Sequence, residues 1–296
     1  MGEPETTPHG TASLIKNLNE EYEIEYGDKL ITEGGSVLGT TFQYDGRSLG
    51  VNSQTSTPTG LVTNGETLLL LAYRTSANSA IHQYSFGTKW DVSTLSYDNK
   101  EFTIGSEAEQ PNDLDTDGDT LILTDERLTG SIFQYSFGSS WDVSKLSYDN
   151  IDFNTGNQDA NPEGITTDGE TVIVCGSETD SLYQYSMDTW DLSTLSYDNV
   201  SYDISSEAGS PQGAMSDGEY LLYVGDTNDD LNQYRFKDKW DLSTLEEDKS
   251  VNLGNESSGP RGIYAGNGVA IVSSLNPEDE ILSYSYVPDI RLPERE

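Results

Sequence analysis

Apolar and polar positions along this chain repeat with a period of roughly 50 residues. Each copy holds four strand-like stretches separated by turn residues. The first follows a proline, as in Pro58-Thr59-Gly60-Leu61-Val62 and Pro162-Glu163-Gly164-Ile165-Thr166. It ends at Asn64-Gly65, Asp117-Gly118, Asp168-Gly169, Asp217-Gly218 or Asn267-Gly268. These dipeptides predict type I′ hairpins, because both residues tolerate positive φ. The second stretch is an unbroken apolar run: Leu68 to Leu71, Leu121 to Leu123, Val172 to Cys175, Leu221 to Val224 and Val269 to Val272. Such runs suit strands buried on both faces. The third carries Gln-Tyr at 83–84, 134–135, 184–185 and 233–234. The fourth alternates, as at Phe102 and Ile104, Tyr202 and Ile204, Val251 and Leu253, which predicts a half-exposed outer strand.

Tryptophans at 90, 141, 190 and 240 open the phrases WDVSTL, WDVSKL, WDLSTL and WDLSTL. Four antiparallel strands repeated radially at this period predict an all-β, five-bladed β-propeller. The hairpin dipeptide occurs five times but the Trp phrase only four, and the last copy, from Pro260, stops after its third strand at Ile281 to Tyr286. The missing strand stands at the other end of the chain. Tyr44, Leu49 and Val51 match Tyr97, Phe102 and Ile104 in spacing and type. Residues 41–53 therefore complete the last blade and close the ring, within a propeller spanning 41–287. Residues 1–40 form an N-terminal arm, in which 22–27 and 30–35 read as a hairpin. Residues 288–296 form a C-terminal tail.

Charge adds a second constraint. Lys and Arg number 15 against 52 Asp and Glu, a formal net charge of -37. A sequence-independent phosphate binder needs the opposite balance, and an anionic membrane surface would repel this chain. Aromatic residues make up 10% of the sequence and recur at fixed intervals, which argues against disorder. At molar salt the Debye length falls to about 3 Å, so repulsion among carboxylates nearly vanishes. The composition is read as adaptation to very high salt. The single cysteine, Cys175, permits no internal disulfide and lies in an apolar run, where a buried inert thiol is expected. The first residues lack a basic segment and an apolar core, so synthesis in the cytoplasm is expected.

Candidate chemistry is sparse. The Trp-Asp phrase, repeated in four copies, is read as scaffold: Trp wedged between blades, Asp and Ser capping the turn. Asp113, Asp115, Asp117 and Asp119 have the spacing that opens a calcium loop, but the closing Glu is missing and Asp117-Gly118 coincides with the hairpin dipeptide. The histidines are His9 and His82. A Ser-His-Asp arrangement would have to use His82, which sits where other copies have Phe133, Tyr183 and Asn232. One Cys and two His make zinc improbable. A carboxylate pair in the channel would serve glycoside hydrolysis, yet with 52 acids chance proximity is expected. The sequence therefore predicts no catalytic, cofactor-binding or metal-binding residues, no cofactor and no enzyme.

The stretch QYSFGTKWDVSTLSYDNKEFTIGSEAEQPND, residues 83–113, resembles a repeat of tail-fibre-like and virion surface proteins of tailed viruses. The resemblance covers about residues 42 to 287 and departs at the residue before each Trp-Asp, where that repeat has proline. With the acidic composition, it implies a virion surface protein of a haloarchaeal tailed virus, either a tail fibre or spike or a capsid-vertex turret. Such a protein would attach to a host cell-surface glycoprotein or glycan. Its arm would bind other virion proteins, in a homo-oligomer on the virion surface, with no nucleic acid and no membrane insertion. The contact surface would be the ring end that carries the loops between second and third strands, such as 74–79 and 177–180, and those between blades, such as 105–113. A host-encoded interaction or lectin-like propeller and a glycan-cleaving enzyme are the rival readings.

Overall fold

The computed structural model describes residues 15–16, 23–24, 39–73, 78–104, 107–126, 130–206, 210–275 and 279–288. Strands β1 (Ile15–Lys16) and β2 (Glu23–Ile24) form a short antiparallel ladder; the rest of 22–27 and all of 30–35 lie outside the described residues. Everything else described belongs to five four-stranded antiparallel sheets. The first blade is β4 (Pro58–Thr63), β5 (Thr67–Ala72), β6 (Ala80–Phe86) and β7 (Leu95–Thr103). The second is β8 (Pro111–Thr116), β9 (Thr120–Asp125), β10 (Ser131–Phe137) and β11 (Leu146–Asn154). The third is β12 (Pro162–Thr167), β13 (Thr171–Gly176), β14 (Ser181–Asp188) and β15 (Asp191–Asp203). The fourth is β16 (Pro211–Ser216), β17 (Tyr220–Gly225), β18 (Asp230–Phe236) and β19 (Leu245–Asn252).

The fifth blade joins the two ends of the chain, as the apolar match predicted. Its inner strands β20 (Pro260–Gly266), β21 (Val269–Ser274) and β22 (Glu280–Pro288) are completed by β3 (Gly39–Gly50). Tyr284 pairs with Tyr44 and Ile281 with Leu49. The innermost strands touch in the closed order β4, β8, β12, β16, β20 and back to β4, which makes the molecule a five-bladed β-propeller. Pairing the terminal strand inside a blade leaves no long free sheet edge at the seam.

Second strands are buried on both faces, with Leu68 to Leu71 wholly inaccessible. Third strands supply the buried tyrosines Tyr84, Tyr135, Tyr185 and Tyr234, which pack between blades: Tyr135 meets Phe102 edge-on at 5.9 Å and Tyr185 meets Phe153 at 5.7 Å. The glutamine beside each tyrosine ties neighbours together. Gln83 donates to Asp98 at 2.7 Å and accepts from Val143 N–H of the next blade at 3.0 Å. Gln134 and Gln184 repeat this with Asp149 and Leu192, and with Asp198 and Leu242. Gln233 donates to Asp248, but its buried Oε1 has no partner. The physical reason is local: the fifth blade carries no Trp-Asp phrase to offer the N–H.

The hairpins differ from expectation in four blades. Only Asn267-Gly268 has both residues at positive φ, 51° and 78°, as type I′ requires. In the others glycine alone is left-handed, and the preceding Asn or Asp accepts from the N–H groups two and three residues on, as Asn64 does from Glu66 and Thr67. Four residues separate the last paired positions, as between Thr63 and Leu68, against two between Gly266 and Val269, and the Asx side chain supplies the turn's hydrogen bonds. Its glycine carbonyl then receives the Trp N–H of the same blade: Trp90 on Gly65, Trp141 on Gly118, Trp190 on Gly169, Trp240 on Gly218. The four tryptophans themselves take positive φ, between 54° and 63°, a conformation costly for a bulky residue. Laying the indole flat on the hairpin glycine offsets that cost, and Trp90 also stacks on Tyr264 of the fifth blade. The scaffold reading of this phrase agrees with these contacts, and Asp91, Asp142, Asp191 and Asp241 each accept from the serine N–H two residues on.

A consequence is testable at Gly118. A Cβ there would lie 2.2 Å from Trp141 Nε1, at a φ of 96°. Gly118→Ala is expected to lower stability by more than about 1 kcal/mol, read as a lowered melting temperature and a changed Trp emission. An unchanged melting curve would mean that the indole does not rest on the hairpin.

Candidate functional site

The five innermost strands share the frame Pro-x-Gly-apolar, except that the second blade has Asp113 where the others have Gly60, Gly164, Gly213 and Gly262. At this level neighbouring strands nearly touch: a Cβ on Gly213 would lie 2.6 Å from Gly262 Cα, and one on Gly60 2.5 Å from Asp113 Cα. The prolines and the residues after them bulge out of the ladder, as the register break between Pro162 and Ile165 shows. The following N–H groups are thereby freed to point across the ring. Asp113 uses them. Its Oδ2 accepts from Ile165 N–H at 3.1 Å and Ala214 N–H at 3.0 Å, one in each of the next two blades. Its Oδ1 lies against Gly60 of the first blade and has no hydrogen-bond partner. The side chain, 1% exposed, thus bridges four blades and plugs the axis. Burial pushes its pKa well above the ordinary carboxylate range, against the pull of the three backbone N–H groups that face it.

Asp115 follows one turn of the pleat further along the axis. It accepts from Thr116 N–H at 2.8 Å and Thr167 N–H at 2.9 Å, and burial raises its pKa to about 7. Asp117 instead caps the hairpin, accepting from Asp119 and Thr120 N–H. The calcium-loop spacing is therefore spread over two levels of the axis and a turn, and its acids do not converge. No group of three His, Cys, Asp or Glu able to hold a metal occurs among the described residues. His82 is buried on the third strand of its blade, edge-on to Tyr97 at 5.8 Å and 3.5 Å from Glu101; His9 lies outside the described residues. Cys175 is fully buried, and burial raises its thiol pKa, which keeps the less reactive protonated form.

Beyond Asp113, at the end where inter-blade loops enter the inner strands, the axis opens into a cavity of about 190 Å³. Its lining includes Thr59, Asn112, Glu163, Gln212 and Arg261, the residues that follow the five blade prolines. Gln110, Tyr73, Glu126 and Leu275 come from the loops at the same end. Arg261 donates to Gln212 and, at 2.9 Å, to Asp226, while its Nε is buried without an acceptor. Asn112 donates to Pro162 O at 3.2 Å and Gln110 to Glu126 at 2.8 Å. Glu163 accepts from Ser177 Oγ at 3.0 Å, and burial, with Glu126 adding repulsion, raises its pKa to about 8.

The sequence reading gave none of these five residues a functional role of its own, although Asn112 falls within the 105–113 loop it placed on the contact surface. The signal was present as a variable letter after each blade proline, Thr, Asn, Glu, Gln and Arg, beside a second variable position at Val62, Asp115, Thr166, Met215 and Tyr264. The cavity does lie at the end that the sequence reading chose as the contact surface.

Glu163 and Asp115 also predict a pH dependence. Their folded-state pKa values lie above the ordinary 4.5 and 3.8. The stability they contribute is full below about pH 4, declines as pH rises, and is gone once pH has passed through about 7 and about 8. Unfolding free energy is expected to fall between about pH 6 and pH 9, by roughly 3 kcal/mol for Glu163 alone. Glu163→Gln is expected to flatten that slope in pH-dependent denaturant melts; an unaltered slope would place the titration elsewhere.

No protein-family model matches this sequence, and no curated protein matches it. Solved structures share its fold. Glutaminyl cyclase from Myxococcus xanthus is 10% identical with a TM-score of 0.52, over 80% of this chain and 93% of that one. Regucalcin from Agrobacterium tumefaciens, a calcium-binding protein, is 11% identical with a TM-score of 0.47, over 86% and 100%. Aldose sugar dehydrogenase from Streptomyces coelicolor is 12% identical with a TM-score of 0.41, over 93% and 87%. The expectation that this chain is no enzyme is corrected by the first of these: an enzyme is built on the same ring. Scaffold-like repetition does not exclude catalysis, since activity lives in sites grafted onto a fold. Identity of this order carries the fold and assigns no activity.

Proposed function

We propose that this chain is a surface-recognition propeller, which attaches a haloarchaeal tailed virus to its host through the cavity-bearing end of the ring. The observation that supports this reading most is the contrast between constant strands and variable lining. The five positions after the blade prolines differ in type, and together they enclose a polar cavity. Variety at the position that faces the cavity is what a binding surface needs; the other variable position, Val62, Asp115, Thr166, Met215 and Tyr264, does not line it. The partner is a glycoprotein or glycan of the host surface, the virion part a tail fibre or spike or a vertex turret, and residues 1–40 hold it to neighbouring virion proteins. Cryo-electron microscopy of purified virions tests this. A five-bladed ring standing on tail or vertex, cavity end outward, is expected. Virions without such a ring would overturn the viral assignment and move the search to the host cell.

One observation favours a second reading, glycan cleavage in the same cavity. Two acids, Glu163 and Glu126, line the cavity, and burial and Glu126 raise the Glu163 pKa to about 8, as suits an acid that protonates a leaving oxygen. Nitrophenyl glycosides would then be hydrolysed, and Glu163→Gln would lower the rate by roughly a hundredfold or more. Absence of hydrolysis across gluco, galacto and manno substrates would remove this reading.

A further inference from the structure

Resting on the recognition reading, we propose that the cavity binds one uncharged sugar ring, held by Asn112, Glu163 and Arg261 with Tyr73 at its edge. Four ligand classes can be weighed against the lining. A divalent cation needs several converging carboxylates or imidazoles, and no such group of three occurs among the described residues. An anion would meet Glu126, Glu163 and the field of a chain with net charge -37. The terminal nitrogens of Arg261 that would clamp it are already turned to Gln212 and Asp226. An apolar ligand would find Leu275 as the single aliphatic side chain of the lining, apart from threonine methyls and the Tyr73 ring.

A neutral polyol suits what remains. Each sugar hydroxyl both donates and accepts, so it satisfies unlike neighbours without adding charge. The donors at hand are the second amide N–H of Asn112, the remaining N–H groups of the Arg261 terminal nitrogens and the carboxyl of Glu163, whose Oε1 is taken by Ser177. The acceptors are Asn112 Oδ1 and Glu126, whose Oε1 already accepts from Gln110. Tyr73 adds an aromatic face of the kind that packs against the C–H side of a sugar ring.

Saturation-transfer NMR with the methyl glycosides of glucose, galactose and mannose, in molar potassium chloride, tests the assignment. At least one glycoside is expected to receive saturation from the wild-type protein. Asn112→Trp fills the cavity and is expected to weaken that binding by at least about tenfold, with circular dichroism confirming the fold. Should Asn112→Trp not fold, Tyr73→Ala at the rim is expected to weaken the same glycoside. Saturation that survives in the folded variant, or none for any glycoside, overturns the proposal. Transfer to sodium acetate without transfer to glycosides would overturn it too, by making the cavity an anion site. If wild-type protein binds host envelope but no glycoside, this inference falls alone and the attachment reading stands.

Discussion

Asp113→Leu is expected to be the most damaging single substitution in this ring, lowering stability by about 4 kcal/mol. The estimate follows from what the carboxylate holds. Ile165 N–H and Ala214 N–H both end on Asp113 Oδ2, inside a fully buried axis where water cannot replace it. Each buried donor left without an acceptor costs about 1–3 kcal/mol. For a domain of this size the loss corresponds to a melting temperature lower by roughly 10 °C. Asp113→Asn makes the comparison clean. Its amide oxygen accepts the same two bonds, and the side chain has nearly the same volume, so most of the stability is expected to remain. It also removes the buried titrating group. Calorimetry of both variants checks the prediction. If Leu and Asn melt alike, the hydrogen bonds across the axis are not what Asp113 contributes.

Removing salt is expected to unfold the propeller outright, an effect larger than that of any point substitution. The chain carries a net charge of -37. Basic partners are few, and those present on the surface, such as Lys89 with Glu66 and Lys239 with Glu219, are mostly exposed pairs of small worth. At about 1 M salt the screening length is about 3 Å, shorter than the gaps between neighbouring carboxylates; at about 0.01 M it is about 30 Å, comparable to the whole ring. Self-repulsion that is local at high salt then acts across the domain, and the compact state loses to the expanded one. A titration of circular dichroism against potassium chloride should show a cooperative loss of β-structure as salt falls. Sucrose at matched water activity should not rescue it, since it strengthens burial without screening charge. A propeller that melts at the same temperature in dilute buffer would refute the high-salt reading of the composition.

How much of this was legible in the sequence depends on the distance over which each feature is encoded. Strand order, hairpin positions and the number of blades follow from local alternation and from turn residues, and the repeat presents each of them five times over. Ring closure was legible because Tyr44, Leu49 and Val51 copy the spacing of a strand found elsewhere in the chain. The hairpin type was misread, since Asn-Gly and Asp-Gly suit both a two-residue turn and the longer Asx-capped one. The choice was made by the Trp N–H that lands on the glycine carbonyl, from a residue about 25 positions away.

The amino-acid sequence by itself thus determined an all-β ring of five blades, its closure and its charge, because each rests on periodicity or on a sum over residues. Only the tertiary structure decided what the exceptions to the repeat do. Asp113 reads as a lost glycine until the ring places it on the axis, where N–H groups of two other blades converge on one oxygen. Thr59, Asn112, Glu163, Gln212 and Arg261 read as five unrelated letters until closure brings them around one cavity. Side chains contributed by five separate blades leave no local pattern, and the burial that sets the protonation of Glu163 exists only once all five are in place.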